Sequence, residues 1–288
     1  MIRVLRERLR QGYRTIRWPD AEPTLPDRLR GRPQIAPGQC PADCNACAQL
    51  CPTDAISIKD QQSRIDLGHC LFCADCAAAC PQKAIRFDTA EYRMATRWRD
   101  DLIIARNPGQ DAQATGNLGQ DVQATGRNAQ DSKDIERNSK EGQYRLAEAL
   151  DGKLRRLYGR SLKLRQVSAG GCNACEADVN VLSTIVFDLG RFGIQVVASP
   201  RHADGLLITG PVPENMRIAL QKTWEAVPPP RLVIAVGACA ISGGPYVDHP
   251  EVHNGAEAIV PVDLYIPGCP PHPMTILDGL VRLLGRLE

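Results

Sequence analysis

The chain has no apolar run approaching the roughly 18 residues that a helical bilayer crossing needs. Its best, Leu232 to Val236, is cut short by Gly237, so a soluble or peripheral protein is expected. Residues 1–19, MIRVLRERLRQGYRTIRWP, lack the apolar core of about 7 to 15 residues that marks a secretory signal. Disulfides are therefore not expected, and the twelve cysteines read as reduced, metal-binding thiols. No phosphate loop and no GxGxxG follows a strand pattern, which leaves no sign of NAD or flavin. A net charge of +2 excludes a general nucleic-acid field, so no nucleic-acid partner is expected.

Eight of the cysteines form two runs, each ending in Cys-Pro: Cys40, Cys44, Cys47 and Cys51 before Pro52, and Cys70, Cys73, Cys76 and Cys80 before Pro81. A short loop can curl three thiolates around one iron-sulfur cube, but the chain then runs too far away to supply the fourth. In two-cluster ferredoxins the fourth cysteine of each run crosses to the other cluster. On that pattern Cys40, Cys44, Cys47 and Cys80 hold one cube, and Cys70, Cys73, Cys76 and Cys51 hold a second. The second run keeps the Cys-x2-Cys-x2-Cys-x3-Cys-Pro spacing, whereas three residues separate Cys40 from Cys44, an excess that one bulge can absorb. Zinc ribbons also use Cys-x2-Cys pairs, and a zinc-stabilised binding module is the rival reading from another class. Two runs of four followed by prolines exceed what a zinc site needs.

With 288 residues, two domains fit. Residues 107–142 are nearly free of large apolar side chains and repeat on a ten-residue period (GQDAQATGNL, GQDVQATGRN, AQDSKDIERN). No repeat has an apolar face, so a disordered linker is expected. Residues 33–106 form the cysteine-rich α+β domain, with short strands at 55–58, 64–67 and 84–87 and a helix over 89–106 through Tyr92, Trp98 and Leu102. Residues 143–288 alternate strand and helix patterns: strands at 161–168, 195–198, 206–209, 232–236 and 262–266, helices at 176–192, 214–226 and 272–287. Such alternation predicts an α/β domain with a mainly parallel, flavodoxin-like sheet, whose ligands bind at the carboxyl ends of the strands. Residues 1–32 carry nine arginines against four acids. Ile2, Leu5, Leu9 and Tyr13 recur among them at helical spacing, making a basic docking segment for a membrane surface or partner, or a solvated helix covering its own domain.

The last four cysteines sit at strand ends beside glycines: Cys172 and Cys175 in SAGGCNACE, Cys239 in VGACA, and Cys269 in YIPGCPP. Three loops from one sheet edge converge, which predicts a third cube. GGCNACE, LLITGPV, GACAISGG and IPGCPPHPMTILDGL together resemble the small subunit of membrane-bound, energy-converting [NiFe] hydrogenases, including formate hydrogenlyase, and the related complex I subunit that carries the terminal cluster. The resemblance covers roughly residues 145–288. It implies that Cys172, Cys175, Cys239 and Cys269 hold a 4Fe-4S cluster proximal to a catalytic large subunit, with Gly171 and Ala174 standing where serine and glycine are typical. Two residues between Cys172 and Cys175 favour the hydrogenase branch, because complex I types have adjacent cysteines there. Glu176 matches an acidic position discussed for proton transfer, though a carboxylate at a helix N-terminus is also favoured by the dipole.

Residues 1–106 look like the ferredoxin-type subunit of the same complexes, so the chain resembles a fusion of two neighbouring subunits. The resemblance implies a non-catalytic electron-relay subunit with three 4Fe-4S clusters, peripheral on the cytoplasmic side of the inner membrane. Its expected partners are a hydrogenase-type large subunit, membrane-arm subunits of the same complex, and a redox donor such as ferredoxin or formate dehydrogenase. A complex I-like quinone oxidoreductase lacking NiFe is the alternative. A loose linker would leave a partner interface to hold the clusters at tunnelling distance. His249 and His253 lie four apart, but Pro250 argues for loop histidines over a metal pair. His69, next to Cys70, could tune a cluster by hydrogen bonding.

Overall fold

The computed structural model describes residues 2–36, 44–59, 62–105 and 161–285. Cys40 and the expected linker at 107–142 lie outside them.

The front part opens with helix α1 (Ile2–Gln11), followed by β1 (Pro33–Ile35), α2 (Ala46–Leu50), β2 (Ile56–Lys59), β3 (Gln62–Asp66), α3 (Asp75–Ala79), β4 (Ile85–Phe87) and β5 (Ile103–Ala105). β1 pairs with β4, and β2, β3 and β5 form a second sheet, all antiparallel. The halves echo one another for a local reason. Cys51 and Cys80 each close a short helix in extended backbone (φ −70, ψ 117 and φ −70, ψ 112), as the proline that follows each of them requires.

The expected helix over 89–106 does not form. Asp88 Oδ1 accepts from Ala90 N–H and Glu91 Oε1 from Arg93 N–H, each 2.8 Å, and such local side-chain bonds compete with a helix ladder. Tyr92 is drawn to one core, Met94 and Leu102 to another, so the segment runs as turns, a 3-10 turn at Arg99–Leu102 and β5.

The rear part has β6 (Leu162–Ser168), α4 (Ala174–Val181), β7 (Ile194–Val196), β8 (Gly205–Thr209), α5 (Glu214–Ala226), β9 (Leu232–Val236), α6 (Ala238–Ser242), β10 (Leu264–Ile266) and α7 (Pro273–Leu283). The sheet order is β10-β9-β8-β6-β7 and every pairing is parallel. GLLIT and LVIAV are buried at every position, as strands covered on both faces must be. The helix expected over 176–192 stops at Val181. The carbonyls of Ile185 and Val186 instead accept from Thr15 Oγ1 (2.8 Å) and Ile16 N–H (2.9 Å).

The two parts share cores. Trp18 and Tyr92 sit among the rear strands and α7, while Ala235, Ala240, Ile241 and Tyr265 join the core of the cysteine-rich part. Thr96 and Tyr265 exchange backbone hydrogen bonds of 2.9 and 2.8 Å across the seam. The chain's own interface therefore holds the parts together, where sequence reasoning assigned that task to a partner.

Candidate iron-sulfur sites

Two cavities in the front part reproduce the crossed cysteine pattern. Cys51, Cys70, Cys73 and Cys76 line one, with Leu71, Ile56, Ile65 and Phe87. Cys44, Cys47 and Cys80 line the other, with Ile35 and Ile85. Each run thus lends its last cysteine to the other's cavity. Among the described residues no three His, Cys, Asp or Glu side chains are grouped so as to hold a single metal ion; these thiols surround a space.

The loop from Cys70 to Cys76 turns through Phe72 (φ 54) and Ala74 (φ 65). Positive φ at non-glycine residues is sparsely populated and persists where surrounding structure fixes it, often at functional sites. Arg30 helps to fix it here, donating through Nη1 to the carbonyls of Phe72 (3.2 Å) and Cys73 (2.6 Å). Backbone N–H groups point at the sulfurs: Ala55 at Cys51, Phe72 at Cys70 and Ala84 at Cys80, each at 3.3 Å. Burial, then neighbouring thiols, pushes the Cys70 thiol up to about 12 despite the Phe72 N–H, and burial pushes Cys76 up to about 11. A thiolate belongs in such a place when a cation neutralises it. All-sulfur donors, apolar walls and N–H groups aimed at sulfur fit a 4Fe-4S cluster.

The rear cysteines gather at the carboxyl edge of the sheet, beyond β6 (Cys172, Cys175), β9 (Cys239) and β10 (Cys269). Cys175 and Cys239 are raised first by burial and then by neighbouring charges, Cys239, Glu176, Cys269 and Cys172 for Cys175, and Cys269, Cys172 and Glu176 for Cys239. Gly237 (φ +88) passes close beneath them: a Cβ there would stand 2.5 Å from Cys175 Sγ. Space kept clear against a ligand sulfur fits the same group. Cys172 and Cys269 are exposed, which leaves this site open on one side.

Glu176 is buried in the first turn of α4. It accepts hydrogen bonds from Ser168 Oγ (2.6 Å) and Thr209 Oγ1 (2.7 Å). Burial alone would raise this carboxyl, but the two hydroxyls outweigh it and hold it below its ordinary value. Ser168 and Thr209 escaped sequence reasoning; their only signal was their place at the ends of β6 and β8.

Ser242 escaped it too. It lies one turn after Cys239 and donates to the carbonyl of Gly68, two residues before Cys70, at 2.7 Å. Two further proximities connect the sites: α2, which carries Cys47, packs on α3, which carries Cys76, and Cys269 lines one cavity with Phe72 across the seam. The remaining candidates are structural. His253 pairs with Glu214 (2.5 Å) and His249 Nδ1 accepts from Glu251 N–H, so the two are not a metal pair. The His69 carbonyl accepts from Thr53 Oγ1 at 2.7 Å, and its ring lies 4.0 Å from Asp66.

Residues 172–283 match the family described as the NADH ubiquinone oxidoreductase 20 kDa subunit. Residues 28–85 match the 4Fe-4S dicluster domain. Over 129 residues the chain is 48% identical to formate hydrogenlyase subunit 7 of Escherichia coli, covering 45% of this chain and 51% of that protein. It is 40% identical over 135 residues to "Probable membrane-bound hydrogenase subunit mbhJ" of Pyrococcus furiosus, covering 47% of this chain and 81% of that protein. It is 38% identical over 121 residues to an NADH-quinone oxidoreductase subunit of Heliobacterium modesticaldum, covering 42% of this chain and 69% of that protein. The chain thus spans about half the length of the E. coli relative.

Proposed function

Because this chain belongs to the NADH ubiquinone oxidoreductase 20 kDa subunit family, with a 4Fe-4S dicluster domain ahead of that region, we propose that it is the electron-relay subunit of a hydrogenase-type membrane complex. Three 4Fe-4S clusters, when bound, supply one-electron transfer along the chain. Cys40, Cys44, Cys47 and Cys80 form the first ligand set, Cys51, Cys70, Cys73 and Cys76 the second, and Cys172, Cys175, Cys239 and Cys269 the third. The observation that supports this reading is the order of the sets in space: α2, which carries Cys47, packs on α3, which carries Cys76, and Cys269 shares a cavity with Phe72, next to Cys73.

The division of the chain into 1–32, 33–106, 107–142 and 143–288 belongs to the same reading, and the 2-1-3-4-5 order of the rear sheet supports a flavodoxin-like domain. The open side at Cys172 and Cys269 suits a separate catalytic large subunit, with Glu176 set to move protons beside it. Among the described residues no helix is long and apolar enough to cross a membrane; a peripheral position on the cytoplasmic face, beside membrane-arm subunits, belongs to the proposal. Ferredoxin or formate dehydrogenase is the expected class of redox donor. The Cys172–Cys175 spacing favours the hydrogenase reading over a quinone-reducing one.

Anaerobic iron and sulfide analysis of the intact chain tests the cofactors: about twelve irons with matching sulfide, and paramagnetic signals on reduction, are expected, and zinc in their place ends the proposal. Hydrogen-dependent dye reduction by the purified complex tests the hydrogenase reading, which fails if the large subunit lacks the cysteine pairs that hold nickel and iron.

A further inference from the structure

Helix α1 stands out because three of its apolar residues have no cover: Val4 is 74%, Leu5 63% and Leu9 79% exposed. A ten-residue helix is marginal alone in water, so an apolar stripe left in solvent points to a surface that completes it. The chain directly after it is firmly held. Thr15 and Ile16 bond to the carbonyls of Ile185 and Val186, and Arg191 donates to the carbonyls of Ile16 and Trp18, both at 2.8 Å. Trp18 is then buried in the shared core. The anchor itself carries a second exposed apolar pair from a distant part of the chain, Ile185 (70% exposed) and Val186 (39%), a few residues beyond the end of the helix.

Charge decides what would cover both. Residues 2–17 carry Arg3, Arg6, Arg8, Arg10, Arg14 and Arg17 against Glu7 alone. Arg6 and Arg10 directly follow Leu5 and Leu9, so cations flank the apolar stripe turn by turn along the helix. An apolar layer bordered by anions at one constant depth is what the headgroup boundary of an anionic bilayer offers to such a helix.

We propose that α1, with Ile185 and Val186, is a lipid-contacting face that lies in the surface of an anionic membrane. This rests on the peripheral-membrane part of the function above and not on the clusters.

The test is co-sedimentation of the full-length, cluster-loaded chain with phosphatidylglycerol vesicles and with phosphatidylcholine vesicles, at low and high salt. Preferential binding to phosphatidylglycerol that weakens with salt is expected. Leu5→Glu/Leu9→Glu should reduce it at least ten-fold with iron content unchanged, and Ile185→Glu should reduce it independently several-fold. Equal binding to both lipids, or undiminished binding by the double variant, overturns the proposal. So does association that needs the membrane subunits and never lipid alone, which would give the face to a protein partner. Loss of vesicle binding in a chain that retains its iron leaves the relay function standing, whereas an iron-free chain that still binds vesicles separates the two the other way.

Discussion

Gly237 stands where the third site has least room. Its φ of +88 already disfavours any L side chain, and a methyl group there would press on Cys175 Sγ. On the proposed three-cluster reading, Gly237→Ala is expected to cost the chain about four of about twelve irons and leave the front sites loaded, as iron analysis and electron paramagnetic resonance would show. Ser242 makes a different claim. Its hydroxyl satisfies the Gly68 carbonyl inside the seam, while Gly68 N–H is held by Asp66 (2.8 Å), itself in a two-pronged pair with Arg99 (2.8 and 2.7 Å). Ser242→Ala strands a buried acceptor and should lower stability by about 1–3 kcal/mol in denaturant unfolding.

The raised thiols of Cys70 and Cys76 carry a pH dependence of their own. In the iron-free fold they keep their protons up to about 12 and about 11, against an ordinary 9.0. The unfolded chain therefore loses those protons first. Stability of the iron-free chain is intact below pH 9 and falls as pH climbs from there through the folded values. A urea midpoint that drops over this range under reducing, anaerobic conditions, with a flatter profile for the iron-loaded chain, is the expected result.

At the scale of elements, sequence patterns read well where one period and one core decide the structure. Leu232–Val236 and Glu214–Ala226 form with the expected bounds, since a continuous apolar run and a sustained 3.6 pattern leave no competing solution. The Cys-Pro pairs are legible as helix ends, and the described cysteines line two cavities in the crossed order that the spacing led one to expect. Legibility fails where distant partners intervene. Tyr92 and Leu102 fall in the segment read as helical yet serve two different cores, with Met94 in the second, and the Ile185 and Val186 carbonyls are taken by Thr15 and Ile16 near the amino terminus. No local window contains those partners. The same reason hides Ser168, Thr209 and Ser242: each hydroxyl acts on a residue that only the tertiary fold brings near.

At the scale of the whole molecule, covalent connection and physical attachment are separate matters, and the seam bears on which one governs the relay. Trp18 and Tyr92, joined by a 2.9 Å bond from the indole N–H to the tyrosine hydroxyl, are buried among rear-domain side chains. Tyr265 reaches the other way. α7 presents Gly279 to Ala95 so closely that a Cβ there would lie 2.6 Å from the alanine methyl. Aromatic burial on this scale makes Trp18→Ala worth about 3–5 kcal/mol, and because the cores are shared, its loss should destabilise both parts in one transition. Attachment then outlasts the peptide link. A specific protease site inserted within residues 107–142 and cut in the folded, iron-loaded chain should yield two fragments that co-elute in size-exclusion chromatography, with the paramagnetic signals of the proposed second and third clusters unchanged from the uncut chain. Fragments that separate on cutting would mean that the seam is too weak to keep Cys269 and Phe72 around one cavity, and that the spacing of the proposed relay depends on the link or on a partner.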